Sequence, residues 1–172
     1  MDRLARGLIL LSDIERITPA KFQKVDLVAL AAQCIEQLLA IHPKAHAILK
    51  TDLKTAPVAA EKDLLEMALM NLLENGVKYS AGNANIEVKI EKKGDALHCS
   101  VSDHGMGISP SDLPHIFDRF YAADKAQSRK AGGAGLGLSI VKNIVEKHGG
   151  KISASSQLGK GSLFTIVFPD SH

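Results

Sequence analysis

Ten of the fourteen glycines in this 172-residue chain lie beyond residue 103. Glycine serves where the backbone must turn left-handed or pass close to another group, and it weakens the interior of a helix or strand. The second half of the chain therefore excludes long uninterrupted helices. It calls for short strands and a short helix joined by loops whose backbone geometry matters more than their side chains. The first half has the opposite character, with long apolar-periodic segments and few breaks. Function is accordingly sought among the late glycines.

Composition sets the outer bounds. Apolar residues make up 45% and charged residues 23% of the chain, enough for one domain with its own core. Lys and Arg exceed Asp and Glu by 21 − 19 = 2, a balance that calls for neither nucleic acid nor an acidic membrane surface as partner. Two cysteines, Cys34 and Cys99, in different kinds of segment argue against a disulfide-stapled scaffold and for a reducing compartment. No run approaches the roughly eighteen apolar residues of a membrane span. Leu8-Ile9-Leu10-Leu11 stops at Ser12-Asp13, too early for a secretory signal. A soluble, cytoplasmic chain is expected.

Periodicity divides the chain into elements. Residues 3–16 carry Leu4, Leu8, Leu11 and Ile14 at helical spacing, an apolar stripe that needs a partner, and Thr18-Pro19 ends it. Asp26 is placed to cap a helix over 27–41, which His42-Pro43 stops. Short extended segments follow at 45–50 and 57–59, then a helix over 62–79. Segments 85–91 and 96–102 alternate as a hairpin across Lys92-Lys93-Gly94-Asp95. Residues 103–135 read as a long functional loop, 136–147 as a helix, and 151–156 and 162–168 as two closing strands. His148, before two glycines, reads as a C-terminal helix residue favourable to the dipole.

In the helix over 62–79, Leu65, Leu69, Leu72, Leu73 and Val77 share one side, while Asn71, Glu74, Asn75 and Lys78 share the other. Alone, the polar side reads as a solvated face with a Glu74–Lys78 pair. Two Asn four residues apart are poor helix formers, however, and amide oxygens suit Mg²⁺ that shares phosphate ligands. Asn75 with Lys78 one turn on can hold a metal–triphosphate, provided a phosphate loop lies elsewhere.

Two glycine clusters offer candidates. Asp103-His104-Gly105-Met106-Gly107-Ile108 follows a strand, where Asp103 can accept from an exocyclic amine and the glycines admit a flat ligand; an ordinary Asp-Gly turn reads the same way. Gly132-Gly133-Ala134-Gly135-Leu136-Gly137-Leu138 runs into a helix, presenting N–H groups and a positive dipole end to an anion. Leu138 stands where a Walker A loop needs Lys, and the pattern is not that of a dinucleotide fold. Lys125, Arg129 and Lys130 add positive charge just before it.

Together these segments resemble the ATP-binding catalytic domain of sensor histidine kinases, in the GHKL (Bergerat-fold) superfamily, over roughly residues 57–169. Met70 to Ser80 (MNLLENGVKYS) is similar to the N box, Asp103 to Ile108 (DHGMGI) to the G1 box, Ile116 to Tyr121 (IFDRFY) to the F box and Gly133 to Leu138 (GAGLGL) to the G2 box. The resemblance implies an α/β fold, a two-layer sandwich of a mixed five-stranded sheet against three helices, with residues 21–172 as catalytic domain. Residues 1–20 resemble a remnant of the dimerisation helix and linker, a helical stub whose stripe would pack in a bundle.

By the same resemblance ATP and Mg²⁺ are the ligands. Asn75 is the metal ligand and Asn71 supports metal or phosphates. Lys78 and Tyr79 line the phosphate and base sides, and Asp103 binds the adenine amine, with Gly105, Gly107 and Ile108 around it. Phe120 belongs to a lid from about residue 117 to 133. Gly133, Gly135, Leu136, Gly137 and Leu138 meet the phosphates. Asn71, Glu74 and Lys78 are the candidates nearest the chemistry, Glu74 as an alternative to a base in the acceptor segment. The γ-phosphoryl would pass to a His on a phosphoacceptor domain not found in this chain, with a response regulator as the later partner. The fragment itself would touch neither membrane nor nucleic acid, a membrane anchor being left open for the whole kinase.

Two departures stand out. The family often has a basic residue after the aromatic pair of the F box; Ala122 stands there, which leaves Arg119, Lys125, Arg129 or Lys130 to meet the γ-phosphate. None of the seven His has the context of a phosphoacceptor. A hydrolytic GHKL ATPase or an anti-sigma-type serine kinase is the alternative, but those relatives typically carry Glu where Asn71 stands. A non-catalytic nucleotide-sensing module is the third reading.

Overall fold

A computed structural model describes residues 2–122 and 135–169. Helix α1 (Arg3–Glu15) and a 3₁₀ turn at Pro19–Lys21 lead into strand β1 (Gln23–Asp26) and helix α2 (Leu27–Ile41). Asp26 makes the change from strand to helix. Its Oδ1 accepts the Val28 N–H at 3.1 Å as an N-cap, and the Ala56 N–H at 2.8 Å. Strands β2 (His46–Lys50) and β3 (Pro57–Ala60) precede helix α3 (Lys62–Lys78), capped by the Glu61 carboxylate, which accepts the Leu64 N–H at 3.2 Å. The hairpin of β4 (Asn85–Lys93) and β5 (Ala96–Asp103) follows, then a 3₁₀ turn at Leu113–His115. Helix α4 (Gly137–Lys147), β6 (Lys151–Gln157) and β7 (Gly161–Pro169) complete the described chain.

The main sheet has the order β2-β4-β5-β7-β6, with β2 parallel to β4 and every other pair antiparallel. Alternation decides which face is covered. Ile86, Val88 and Ile90, Leu97, Cys99 and Val101, and Phe164, Ile166 and Phe168 are all buried, while Glu87, Lys89 and Glu91 between them point away. Helices α2, α3 and α4 supply the other half of the core through residues such as Leu30, Leu38, Leu69, Leu72 and Ile144. This is the expected two-layer sandwich of a mixed five-stranded sheet and three helices, with α1 as a fourth helix. Burial pushes the thiols of Cys34 and Cys99 up to about 12, so both are inert packing residues.

Two details go beyond the sequence reading, which has neither a strand at 23–26 nor a partner for His148. Residues 57–60 pair antiparallel with β1, Val25 opposite Val58, outside the main sheet. Strand β1 is four residues long with one buried apolar side chain, which leaves no period to read. His148 stands at the C-terminal end of its helix as the sequence suggests, but as a buried ring with two partners. It is 7% exposed, its Nδ1 lies 2.6 Å from the Ile144 carbonyl, and its Nε2 accepts the Glu61 N–H at 3.0 Å. The carbonyl requires a proton on Nδ1 and the Glu61 amide requires a lone pair on Nε2, so the ring is the neutral Nδ1–H tautomer. It ties the C-terminal end of α4 to the start of α3, and Phe22 stacks on it at 4.6 Å.

The stripe on α1 is divided. Leu11 and Ile14 are 2% and 0% exposed, packed into the core, while Leu4 and Leu8 face outward at 38% and 41%. Close contact comes from Gly7, where a Cβ would collide with the Leu136 side chain just before α4. At the other end of α1, Lys147 Nζ donates to the Glu15 carbonyl at 2.7 Å. Helix α1 therefore runs parallel to α4 along its outer side. Among the described residues no helix is long and apolar enough to cross a membrane.

Candidate functional site

Helix α3 buries Leu64, Leu65, Ala68, Leu69, Leu72, Leu73 and Gly76, and so presents its other side outward. That side does not meet bulk solvent alone. Asn71, Glu74, Asn75, Val77, Lys78 and Tyr79 line a cavity of about 690 Å³. The Glu74–Lys78 pair expected of a solvated face is not formed; Lys78 Nζ lies over the Tyr79 ring, 5.0 Å from its centroid. Glu74 is exposed at the rim. Asn71 Nδ2 donates to the Met67 carbonyl at 2.9 Å. That fixes the amide, and its Oδ1 faces Gly137, where a Cβ would stand 3.3 Å away.

The opposite wall is the loop after β5. Asp103 Oδ1 accepts the Gly105 N–H at 2.8 Å. Burial raises the Asp103 carboxyl above its ordinary value, and the backbone N–H groups of Gly105 and Ser162 and the charge of His104 pull it back. The carboxylate is thus held, half-buried, with acceptor capacity left for a donor in the cavity. The glycines of this loop crowd against protein backbone. A Cβ on Gly105 would lie 2.6 Å from the Tyr79 carbonyl, and Gly107, at φ +73°, has the Gln157 carbonyl in the space a Cβ would take. Met106 N–H donates to Tyr79 O at 3.0 Å, Gly159 N–H to Met106 O at 2.8 Å, and Ile108 N–H to Ser156 Oγ at 2.8 Å. The loop is wedged between the end of α3 and the β6–β7 turn, with Met106, Gly107 and Ile108 on the cavity.

The third wall is the start of α4. Gly135, Gly137 and Leu138 line the cavity. Among the described residues no side chain caps this helix, and its first-turn N–H groups face the cavity as a place for an anion. Leu136 is instead buried, 3% exposed, beneath Gly7. Gly135, at φ +71°, lies against Phe120, whose N–H donates to Gly135 O at 2.9 Å. Phe120 itself has a left-handed φ of 64°, is 54% exposed, and does not line the cavity. Its neighbours Tyr121 and Ala122 do.

Thus Asn71, Glu74, Asn75, Lys78, Tyr79, Asp103, Gly107, Ile108, Gly135, Gly137 and Leu138 converge, whereas Gly105 and Leu136 are buried behind the surface and Phe120 stands exposed outside the cavity. Gly133, Lys125, Arg129 and Lys130 lie outside the described residues. Arg119 is turned away, its Nη2 donating to Glu15 Oε1 at 3.1 Å.

Several lining residues had no place in the sequence reading of the site. Ser109 and Asp112 form a latch with Tyr121: Ser109 Oγ donates to Asp112 Oδ2 at 2.5 Å, and the Tyr121 hydroxyl donates to Asp112 Oδ1. These two hydroxyls hold the Asp112 carboxyl below its usual value, and Asp112 raises the Tyr121 phenol in return. Ser-x-x-Asp at 109–112 was the one legible signal. His42, at the end of α2, and Arg3, from α1, also line the cavity. Among the described residues no cluster of His, Cys, Asp and Glu could hold a metal ion. The amide oxygens of Asn75 and Asn71 nevertheless fit Mg²⁺, which takes hard oxygen donors and shares its remaining positions with water and phosphate.

Comparison with known proteins gives this geometry a context. The family model described as "Histidine kinase-, DNA gyrase B-, and HSP90-like ATPase" matches residues 60–172. The sensor histidine kinase RppB of Synechocystis is 36% identical over 98% of this chain and 38% of its own length. The sensor histidine kinase YkoH of Bacillus subtilis is 34% identical over 99% of this chain and 37% of its own. The chain thus spans under two-fifths of these curated relatives. The catalytic domain of the histidine kinase ThkA superposes with a TM-score of 0.73 at 25% identity, covering 88% of this chain and 99% of that one.

Proposed function

We infer the function from one premise: this chain belongs to the family of histidine kinase-, DNA gyrase B- and HSP90-like ATPases. It is the Mg·ATP-binding catalytic domain of a two-component sensor histidine kinase, and it passes the γ-phosphoryl group of ATP to a His on a phosphoacceptor domain. A response regulator is the later acceptor, and the reaction takes place in the cytoplasm. Residues 1–20 serve as the end of a dimerisation helix and its linker, and residues 21–172 as the catalytic domain. The observation that carries the reading is the meeting, in one cavity, of an amide-bearing helix face, a half-buried carboxylate and an uncapped helix N-terminus.

In this reading Asp103 accepts from the adenine amine, and the backbone around Gly107 and Ile108 offers the flat approach. Asn75 holds the metal, with Asn71 beside it, and the start of α4 meets the phosphates. Mg²⁺ held by these amides would supply positive charge against the charge that develops on the phosphate oxygens. The transfer breaks the bond between the γ-phosphorus and its bridging oxygen and forms one to an imidazole nitrogen, leaving ADP. The chain's own part is positioning, with Lys78 supplying charge near the phosphates and Glu74 at the rim within reach of an incoming acceptor.

The test is to mix the chain with Mg·ATP and the cognate acceptor hairpin and to follow acid-labile phosphate on His. Asn75→Ala should abolish the label and weaken Mg·ATP binding at least tenfold, as loss of a metal ligand does. Unchanged nucleotide affinity in that variant would remove Asn75 as the ligand. Release of inorganic phosphate with no label on His would favour a hydrolytic ATPase instead.

A further inference from the structure

Among the described residues lining the cavity, permanent positive charge comes from Lys78 and from Arg3. Lys78 belongs to α3, but Arg3 arrives from the first turn of α1, more than sixty positions earlier in the chain. The parallel packing of α1 on α4 explains how it gets there. Gly7 abuts Leu136, immediately before α4, and the two helices stay in contact as far as Glu15 and Lys147. Arg3 precedes Gly7 by one turn, about 6 Å, so it overhangs the N-terminal end of α4. A cation is thereby set beside two positive helix ends, its own and that of α4, an arrangement that favours an anion between them.

Ala122 lines the cavity where the F-box resemblance leads one to look for a basic side chain. Arg119, three residues earlier, is committed to Glu15.

We propose that Arg3 contacts the terminal phosphate of a bound nucleoside triphosphate, so that α1 forms part of the nucleotide site and distinguishes triphosphate from diphosphate. The proposal rests on the nucleotide-binding reading above. A guanidinium presents planar paired donors that match phosphate oxygens, a fit that Lys at the same position meets only as a point charge. Because binding and docking are linked, ATP favours the docked position of α1, and releasing α1 weakens ATP more than ADP.

The test is calorimetric titration of the 172-residue chain with Mg·ATP and with Mg·ADP, for the unmodified protein, Arg3→Ala and Arg3→Lys. Arg3→Ala should weaken ATP roughly tenfold while ADP stays within about twofold, and Arg3→Lys should recover part of the loss. A melt of each nucleotide-free variant runs alongside, so that any lost contact of Arg3 within the protein is read separately from the ratio of ATP to ADP affinity. An unchanged ratio of ATP to ADP affinity in Arg3→Ala would overturn the proposal, as would equal weakening of both nucleotides. An unmodified chain that bound neither nucleotide would bring down the nucleotide reading itself, and this proposal with it.

Discussion

Asp103 sits between opposing influences, burial against two backbone N–H groups and the charge of His104, and burial prevails. Its carboxyl titrates above the ordinary 3.8 in the folded chain. The folded state therefore holds the proton more readily than the unfolded one, and stability falls as pH rises from about 3.8 through the raised value. At neutral pH the ionised form is kept at a cost to the fold, which suits a group retained to accept a ligand's hydrogen bond. Asp103→Asn should leave the nucleotide-free chain at least as stable at pH 7 and flatten the fall in melting temperature above pH 4. It should also weaken ATP about tenfold, since a charged acceptor is lost. Thermal melts across pH and a nucleotide titration check both parts, and full ATP affinity in the variant would exclude Asp103 as the base-side acceptor. Asp112 has the opposite sign. Its carboxyl is depressed by Ser109 and Tyr121, so the latch they form contributes at neutral pH and is lost as pH falls through that lowered value.

Helices α3 and α4 form two walls of the cavity, and His148 ties them together at the end away from it. Truncation to Ala would orphan the Glu61 N–H, empty the space under Phe22 and free the end of α4. His148→Ala should lower stability by roughly 2–3 kcal/mol, from one lost buried hydrogen bond and a cavity, as read by urea unfolding. A loss below about 0.5 kcal/mol would mean the tie is not made. The face of α3 was legible because a helix projects every third or fourth residue to one side, so Asn71, Asn75 and Lys78 announce themselves within eight positions. The loop at 103–108 and the glycines before α4 were legible for the same local reason. His148 reads from the sequence only as a C-terminal helix residue, because its partner amide lies 87 residues earlier and nothing near it in sequence reports a neutral, doubly bonded ring. The latch, His42 and Arg3 were hidden likewise, each brought to the cavity by packing between distant segments. Gly105 and Gly107 read as room for a ligand; the side on which each lacks a Cβ is taken by the backbone at Tyr79 and Gln157, while Gly107 still lines the cavity.

At the scale of the whole molecule, α1 belongs to the core as much as it projects from it. Ile14 is fully buried, and Ile14→Ala should cost about 3 kcal/mol in urea unfolding, within the usual range for deleting a buried branched side chain. A cost under about 1 kcal/mol would show that α1 is not held on α4. The outward Leu4 and Leu8 leave the other half of the stripe for further packing, so one helix faces two ways. The contact between Phe120 and Gly135 has a different kind of consequence. It pins the two ends of the stretch from 121 to 134 beside one another. The joint is made by backbone atoms, so it constrains the residues at 120 and 135 only through the left-handed φ that both adopt, and the cavity's two rims are held together whatever side chains they carry.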